Sequence, residues 1–155
     1  MNEIWKPNVT VAALIERDGA FLLVEEETDD GMRFNQPAGH LDEGESLVAA
    51  CARETLEETA WQFTPTALVG VYQWPRPNRA NEGDITYLRF AFAGELGAHD
   101  AERQLDTGIL RAVWMTPAEI EATRARHRSP LIWQCVLDWQ AGRRFPLDLI
   151  RHYGN

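Results

Sequence analysis

Residues 46 to 59, SLVAACARETLEET, carry a helical pattern that demands two different neighbours. At 100° per residue, Val48, Ala49, Ala52, Thr55, Leu56 and Thr59 fall on one side and Glu54, Glu57 and Glu58 on the other. Ser46 suits the N-cap. The apolar side needs a second layer of structure to cover it. The carboxylate side has two readings. As a solvated surface it would be tolerable, because Glu is a good helix former and each like-charge pair costs only about 0.2 to 0.5 kcal/mol. Against that, Glu57 and Glu58 occupy the last turn, where the macrodipole disfavours an anion by about 0.3 to 1 kcal/mol, and the helix contains no Lys to offset them. A bound divalent cation reverses both penalties, and hard oxygen ligands suit Mg²⁺ or Mn²⁺.

The rest of the chain supplies the covering layer. VTVAALIERDGAFLLVEEE, residues 9 to 27, holds two apolar, β-branched runs around Arg17-Asp18-Gly19 and reads as a β-hairpin. TDDGMRFNQPAG reads as a polar loop. Further strands are expected at ALVGVYQW, at ITYLRFAFAGEL and at RAVWM, residues 111 to 115, with the first two separated by the loop PRPNRANEGD. Thr116-Pro117-Ala118-Glu119 has the form of a capping box with Pro at the first helical position. A last helix is expected over residues 130 to 141, capped by Ser129 and stopped by Gly142, with Ile132, Cys135, Val136 and Trp139 as its buried stripe. Strands and helices are interspersed, which implies an α/β fold with a mixed β-sheet covered by helices on both faces.

The 155 residues show no repeat, linker or low-complexity tract, so a single domain over residues 1 to 155 is expected. A formal charge of -9 opposes binding to a nucleic-acid polymer. The chain opens without a basic stretch and apolar region, and no run of 18 apolar residues occurs, so a soluble cytoplasmic protein without a membrane partner is expected. Cys51 and Cys135 sit at apolar helical positions outside any CxxC pattern and read as packing thiols.

Gly39, five residues, Glu45, seven residues and then Arg53-Glu54-Thr55-Leu56-Glu57-Glu58 together resemble the Nudix box. Ala60 departs from it, standing where that family usually has Gly, and Thr55 occupies a position that is more often aliphatic. The resemblance implies a Nudix α/β/α sandwich in which a loop, a helix and a loop bind a divalent cation against a diphosphate. It makes Glu54, Glu57 and Glu58 metal ligands, assisted by the Gly39 carbonyl, and has Arg53 orient the carboxylates by pairing with Glu45. Glu54, Glu57 and Arg53 are the expected catalytic residues. Glu54 is the first choice of general base, and a loop carboxylate from Asp100, Glu102 or Asp106 is the alternative.

Outside the box, KPNVTVAA, NQPAGHLDEGESL, YQW, YLRFAF, RSPL and AGRRFPLDLI are similar in order to the NudJ-type phosphatases of that family. This implies release of terminal phosphate from nucleoside di- and triphosphates and from the pyrophosphates of thiamine and its hydroxymethylpyrimidine precursor. Attack at the inner phosphorus, releasing pyrophosphate, is one alternative. A Nudix-fold regulator that binds a nucleotide without cutting it is another.

Three residues are the candidates for holding such a small-molecule diphosphate. Arg89 is a cation in a strand interior beside small residues, suited to a phosphate or to a simple ion pair. Lys6 lies just before the first strand, within reach of an anionic cleft. Trp74, with Tyr72, offers a ring for stacking on a base. Arg76 and Arg79 read as ordinary surface arginines.

Overall fold

Strand β1 (Asn8–Leu14) has no solvent face over its second half. Val11 and Ala13 pack into one apolar cluster, and Ala12 and Leu14 into another. A strand buried on both faces must lie inside a sheet covered on both sides. The computed structural model, which describes residues 2–79 and 83–154, shows that arrangement. A five-stranded sheet runs in the order β5 (Ala38–His40), β1, β7 (Gly83–His99), β6 (Trp61–Arg79) and β9 (Phe145–Pro146). It is mixed, since β1 is parallel to β7 while the other pairs are antiparallel. A smaller sheet joins β2 (Glu16–Arg17), β3 (Ala20–Thr28), β4 (Gly31–Asn35) and β8 (Ile109–Met115). Helix α1 (Leu47–Thr59) contributes Ala50 and Cys51 to the cluster containing Val11 and Phe92. Helices α2 (Pro117–Ala122) and α3 (Leu131–Gln140) contribute Ile120, Cys135 and Val136 to the cluster on the other side. The expected mixed sheet flanked by helices is therefore present.

The expected hairpin over residues 9 to 27 is replaced by a change of sheet. Only Glu16–Arg17 turns back on Ala20–Phe21, around Asp18 at φ 53° and Gly19 at φ 83°. β1 pairs with β5 and β7, whereas β3 pairs with β4 and β8. Two strands that are each apolar on both faces cannot share one half-exposed hairpin. The supposed polar loop after residue 27 also holds strands β4 and β5. In β4, Phe34 points into the core while Arg33 and Asn35 line a cleft, so the polar alternation that suggested a loop belongs to a strand with a functional face. The hairpin β6–β7 extends beyond its expected ends, with Pro75 opposite Thr86 and Arg76 opposite Ile85. Prolines are tolerated there because β9 covers β6 only at Ala67 and Leu68, which leaves an edge. Residues 80–82 of the expected loop PRPNRANEGD lie outside the described residues.

Helix α1 starts at its expected cap, with the Ser46 hydroxyl accepting the Ala49 N–H at 3.0 Å. In α3, Pro130 occupies the cap position and the Ser129 hydroxyl accepts the Leu131 N–H at 3.2 Å. The core face of α1 is rotated by about a quarter turn from the expected one. Ala50, Cys51, Thr55, Glu58 and Thr59 are buried, and Ala49 is exposed. Glu58 thus belongs to the inner face. Thr55, polar and fully buried, is accommodated because its hydroxyl donates to the Cys51 carbonyl at 2.8 Å.

Ala60 ends α1 in the left-handed conformation, at φ 63° and ψ 13°, with its N–H on the Leu56 carbonyl. Glycine adopts this geometry without the Cβ penalty of about 1 kcal/mol, but it also loosens the unfolded chain and gives up a buried methyl. Ala60→Gly is expected to leave stability between unchanged and about 1 kcal/mol higher, read as Tm in thermal denaturation. A clear fall in Tm would mean that the methyl packing outweighs the strain.

Candidate active site

Arg53 gathers the acidic groups. Its Nε and Nη2 donate to the two oxygens of Glu45 at 3.0 and 2.6 Å, a bidentate fork. Its Nη1 donates to Glu54 at 2.9 Å and to Glu57 at 3.1 Å, and Nη2 also reaches the His40 carbonyl at 3.0 Å. The Asp42 N–H donates to Glu45 at 2.8 Å, which ties the loop before α1 to the same carboxylate. The Arg53 hydrogen bond holds the Glu45 carboxyl below its ordinary pKa. Glu54 shifts upward instead, because burial outweighs Arg53 and the charges of Glu57 and Asp106 add to it.

Gly39 stands in β5, opposite Val11 of β1. A Cβ there would fall on the carboxylate of Glu54. The glycine of the box is thus required by a side chain packed flat against its backbone.

The three carboxylates that converge are Glu54, Glu57 and Asp106, whose oxygens lie within 4.8 Å of one another. Two backbone bonds deliver the loop that carries Asp106. The Asp106 N–H caps the Glu57 carbonyl at 3.0 Å, and the Asp100 N–H caps the Ala60 carbonyl at 2.9 Å. Carbonyls left free by the end of α1 therefore hold that loop. Of the loop acids named from the sequence, Asp100 is used within its own turn, accepting the Glu102 N–H at 3.1 Å, and Glu102 is exposed.

Glu58 lies deeper and outside that trio. Its Oε1 accepts the Ala38 N–H at 2.9 Å, and the residue is 8% exposed. Burial, reinforced by the charges of Glu26, Glu54 and Asp106, pushes its pKa up to about 9. In the metal-free protein it is neutral at pH 7.

Glu54, Glu58 and Gly39 line a cleft of about 620 Å³. Arg89 lines it too and is 5% exposed. The ion-pair alternative for Arg89 is not met among the described residues. It donates to the side-chain oxygens of Gln36 and Asn35, both at 2.8 Å, and to Cys135 Sγ at 3.8 Å. Trp74 lines the cleft and stacks on Tyr87, with ring centroids 6.0 Å apart. Tyr72 instead packs against the core and donates to Asp138 at 2.7 Å. Lys6, expected at the substrate, is exposed before β1 and does not line the cleft, whereas Thr10 further along β1 does. Arg76, read as a surface residue, is a cleft residue. Sequence reasoning missed Asn35, Gln36, Glu26 and Arg128. Arg128 pairs with the buried Glu26 at 2.9 Å in the cleft wall. For Asn35 and Gln36 the available signal was two amides abutting a proline that stands two residues before the box glycine. Both cysteines are buried, as expected.

A family model for the NUDIX domain matches residues 5–134. The chain belongs to the Nudix family. Phosphatase NudJ of Escherichia coli (strain K12) is 37% identical over 147 residues, which span 95% of this chain and 92% of that protein. A NUDIX hydrolase from Nitrosomonas europaea is 52% identical, with a TM-score of 0.89 over 96% of this chain and 98% of that one. A bifunctional NMN adenylyltransferase/ADP ribose pyrophosphatase from Francisella tularensis, complexed with AMP and a Mn ion, shares the fold at 18% identity. Its TM-score is 0.61 over 91% of this chain and 43% of that one. The protein is thus a NudJ-like Nudix hydrolase, from a family that cuts phosphoanhydrides of small-molecule diphosphates with a divalent metal. Among the described residues, no helix is long and apolar enough to cross a membrane.

Two outcomes follow for this Nudix hydrolase. In Gly39→Ala the β5 backbone is fixed by β1, so the Glu54 carboxylate must move. Tm should stay within a few degrees while kcat/KM falls about a hundredfold or more, the cost of misplacing a reacting group by about 1 Å. Glu58 sets the pH dependence. Its folded pKa of about 9 exceeds the ordinary 4.5, so between these values the folded state keeps a proton that the unfolded state gives up. Stability of the metal-free protein from this group is therefore highest below about pH 4.5 and declines toward pH 9. Glu58→Gln, which keeps the acceptor for the Ala38 N–H, should flatten that decline when Tm is followed across the range. An unchanged slope would mean that Glu58 is ionised in the fold.

Proposed function

We propose that this enzyme releases the terminal phosphate of nucleoside di- and triphosphates and of thiamine-pathway pyrophosphates. The observation that carries this reading is that Glu54, one of three convergent carboxylates, lines the same cleft as a buried arginine whose partners are neutral. An anion bound between a cation site and Arg89 satisfies both.

The donor set fits a divalent cation. Glu54, Glu57 and Asp106 supply hard oxygens within 4.8 Å, and the charges of Glu57 and Asp106 raise the pKa of Glu54. A cation removes that repulsion. In the proposed assignment Mg²⁺, with Mn²⁺ as a substitute, would be held by Glu54 and Glu57, with Asp106, Glu58 and the Gly39 carbonyl as the further oxygen donors. When bound, it supplies neutralisation of the charge on the phosphate oxygens.

The protein's own groups do the rest. Arg89 presents guanidinium N–H groups to the phosphate from the opposite charge class, held in orientation by Gln36 and Asn35. Glu54 accepts the proton of the attacking water, since it lines the cleft half-buried, whereas Asp106 is exposed and is not among the cleft-lining residues. Arg53 fixes the Glu54 rotamer. The stacked ring of Trp74 receives the base or pyrimidine.

Hydrolysis of a nucleoside triphosphate in ¹⁸O-labelled water tests the regiochemistry. The expected products are the diphosphate and inorganic phosphate, with label in the phosphate, and the diphosphate should be a substrate in its turn. Pyrophosphate as the early product, with label in the monophosphate, would assign attack to the inner phosphorus.

A further inference from the structure

Beside the cleft, and sharing Trp74, Arg76, His127, Arg128 and Ser129 with it, lies a second cavity of about 580 Å³. The arginines lining it are Arg76, Arg124 and Arg128, and among the described lining residues there is no carboxylate. Arg76 and Arg128 also line the cleft, so Arg124 is the arginine of this cavity alone, and in a chain of net charge -9 a wall of this sign suits an anion. Trp133 faces Trp74's cavity from α3, so two indoles accompany the arginines. Ser129 and Pro130, at the N-terminal and electropositive end of the ten-residue α3, complete the wall.

We propose that this cavity is a second anion subsite of the same enzyme, selecting nucleotides that carry a further phosphate on the ribose besides the 5′-diphosphate. The inference rests on the reading that the diphosphate lies between Arg89 and the Glu54–Glu57 carboxylates. With the base on Trp74, the ribose lies where the two cavities meet. A ribose phosphate then enters the arginine-lined side, with Arg124 at its outer edge. Arg128 is already paired with Glu26 at 2.9 Å and serves the boundary between the cavities. Arg124 lines the second cavity and not the first, which makes it the residue that separates the two functions.

Steady-state kinetics on adenosine 5′-diphosphate and on its 3′-phosphorylated form test this. The parent enzyme should favour the 3′-phosphorylated compound about tenfold in kcat/KM, mainly through KM, as one charge-assisted hydrogen bond provides. In Arg124→Glu, a change in an exposed 3-10 turn, the ratio should fall to about one or below. Adenosine 3′,5′-bisphosphate, which has no anhydride to cut, gives an independent readout. It should quench the tryptophan fluorescence of the parent without added metal, and about tenfold more of it should be needed for Arg124→Glu. Equal kcat/KM for both diphosphates in the parent, or a preference that survives in Arg124→Glu, overturns the subsite. If neither diphosphate is cut while the bisphosphate binds in an Arg124-dependent way, the subsite stands and the hydrolytic reading fails instead.

Discussion

The guanidinium of Arg53 sits among the carboxylates of Glu45, Glu54 and Glu57, and the geometry of the catalytic face follows from that placement. Without it, Glu54 and Glu57 would repel each other and Glu45 across from them, and Glu57 in the last turn of α1 would oppose the macrodipole as well. Because the fork is rigid and planar, it fixes positions as well as neutralising charge. The Nε and Nη2 edge is occupied by Glu45, which belongs to the loop before α1, and the same Nη2 reaches the His40 carbonyl at the end of β5. Loop, strand and helix are thereby locked to one cation before any metal or substrate arrives. A lysine could not make this set of bonds, since a point charge lacks the fork.

The glutamates of α1 are set apart by depth. Glu57 stands at the surface of the helix, Glu54 is half-buried against Gly39, and Glu58 is buried with an N–H bond from Ala38. Burial raises the carboxyl of Glu54 above its ordinary range and raises that of the deeper Glu58 further. A helix designed only for stability would place an apolar residue at position 58. The fold accepts a carboxyl there because protonation removes most of the desolvation cost in the absence of a cation, and because its acceptor satisfies a strand N–H that would otherwise be orphaned.

The spacing of Gly39, Glu45, Arg53, Glu54, Glu57 and Glu58 was enough to identify the family and the pairing of Arg53 with Glu45. Helix caps at Ser46 and Thr116 were equally legible, because capping is local chemistry written within four residues. The failures share a different cause. The Gly31–Asn35 strand looked like a loop because its cleft-facing side is polar, and β1 looked like half of a hairpin because strand periodicity says nothing about which sheet a strand joins. The inward turn of Glu58 was missed because a helical wheel centred on Val48 and Thr59 took hydrophobicity as the sole guide to the core face. Asp106 could be named only as one of three loop acids. What selects it is a backbone bond to the Glu57 carbonyl, which no residue type encodes.

An acidic protein that binds an anionic substrate has to separate its charges in space. Here Glu54 and Glu58 of α1 line the cleft, with Glu57 and Asp106 converging on Glu54 beside it, and in the proposed assignment a divalent cation would turn this acidic side into an attractive one. The permanent cations come from elsewhere in the fold: Arg89 from β7, Arg76 from β6, and Arg128 from the segment before α3. Arg89 is the most telling of these. A buried guanidinium normally recruits a carboxylate, because a lone buried charge is costly. This one is held by two amide oxygens, which orient it and lower the desolvation cost without cancelling its charge. A carboxylate in the place of Gln36 or Asn35 would stabilise the empty protein more and bind phosphate less. Neutral partners leave the arginine's field uncancelled within the cleft, so the same choice of residues that makes the free cleft less stable supplies what the proposed phosphate contact requires.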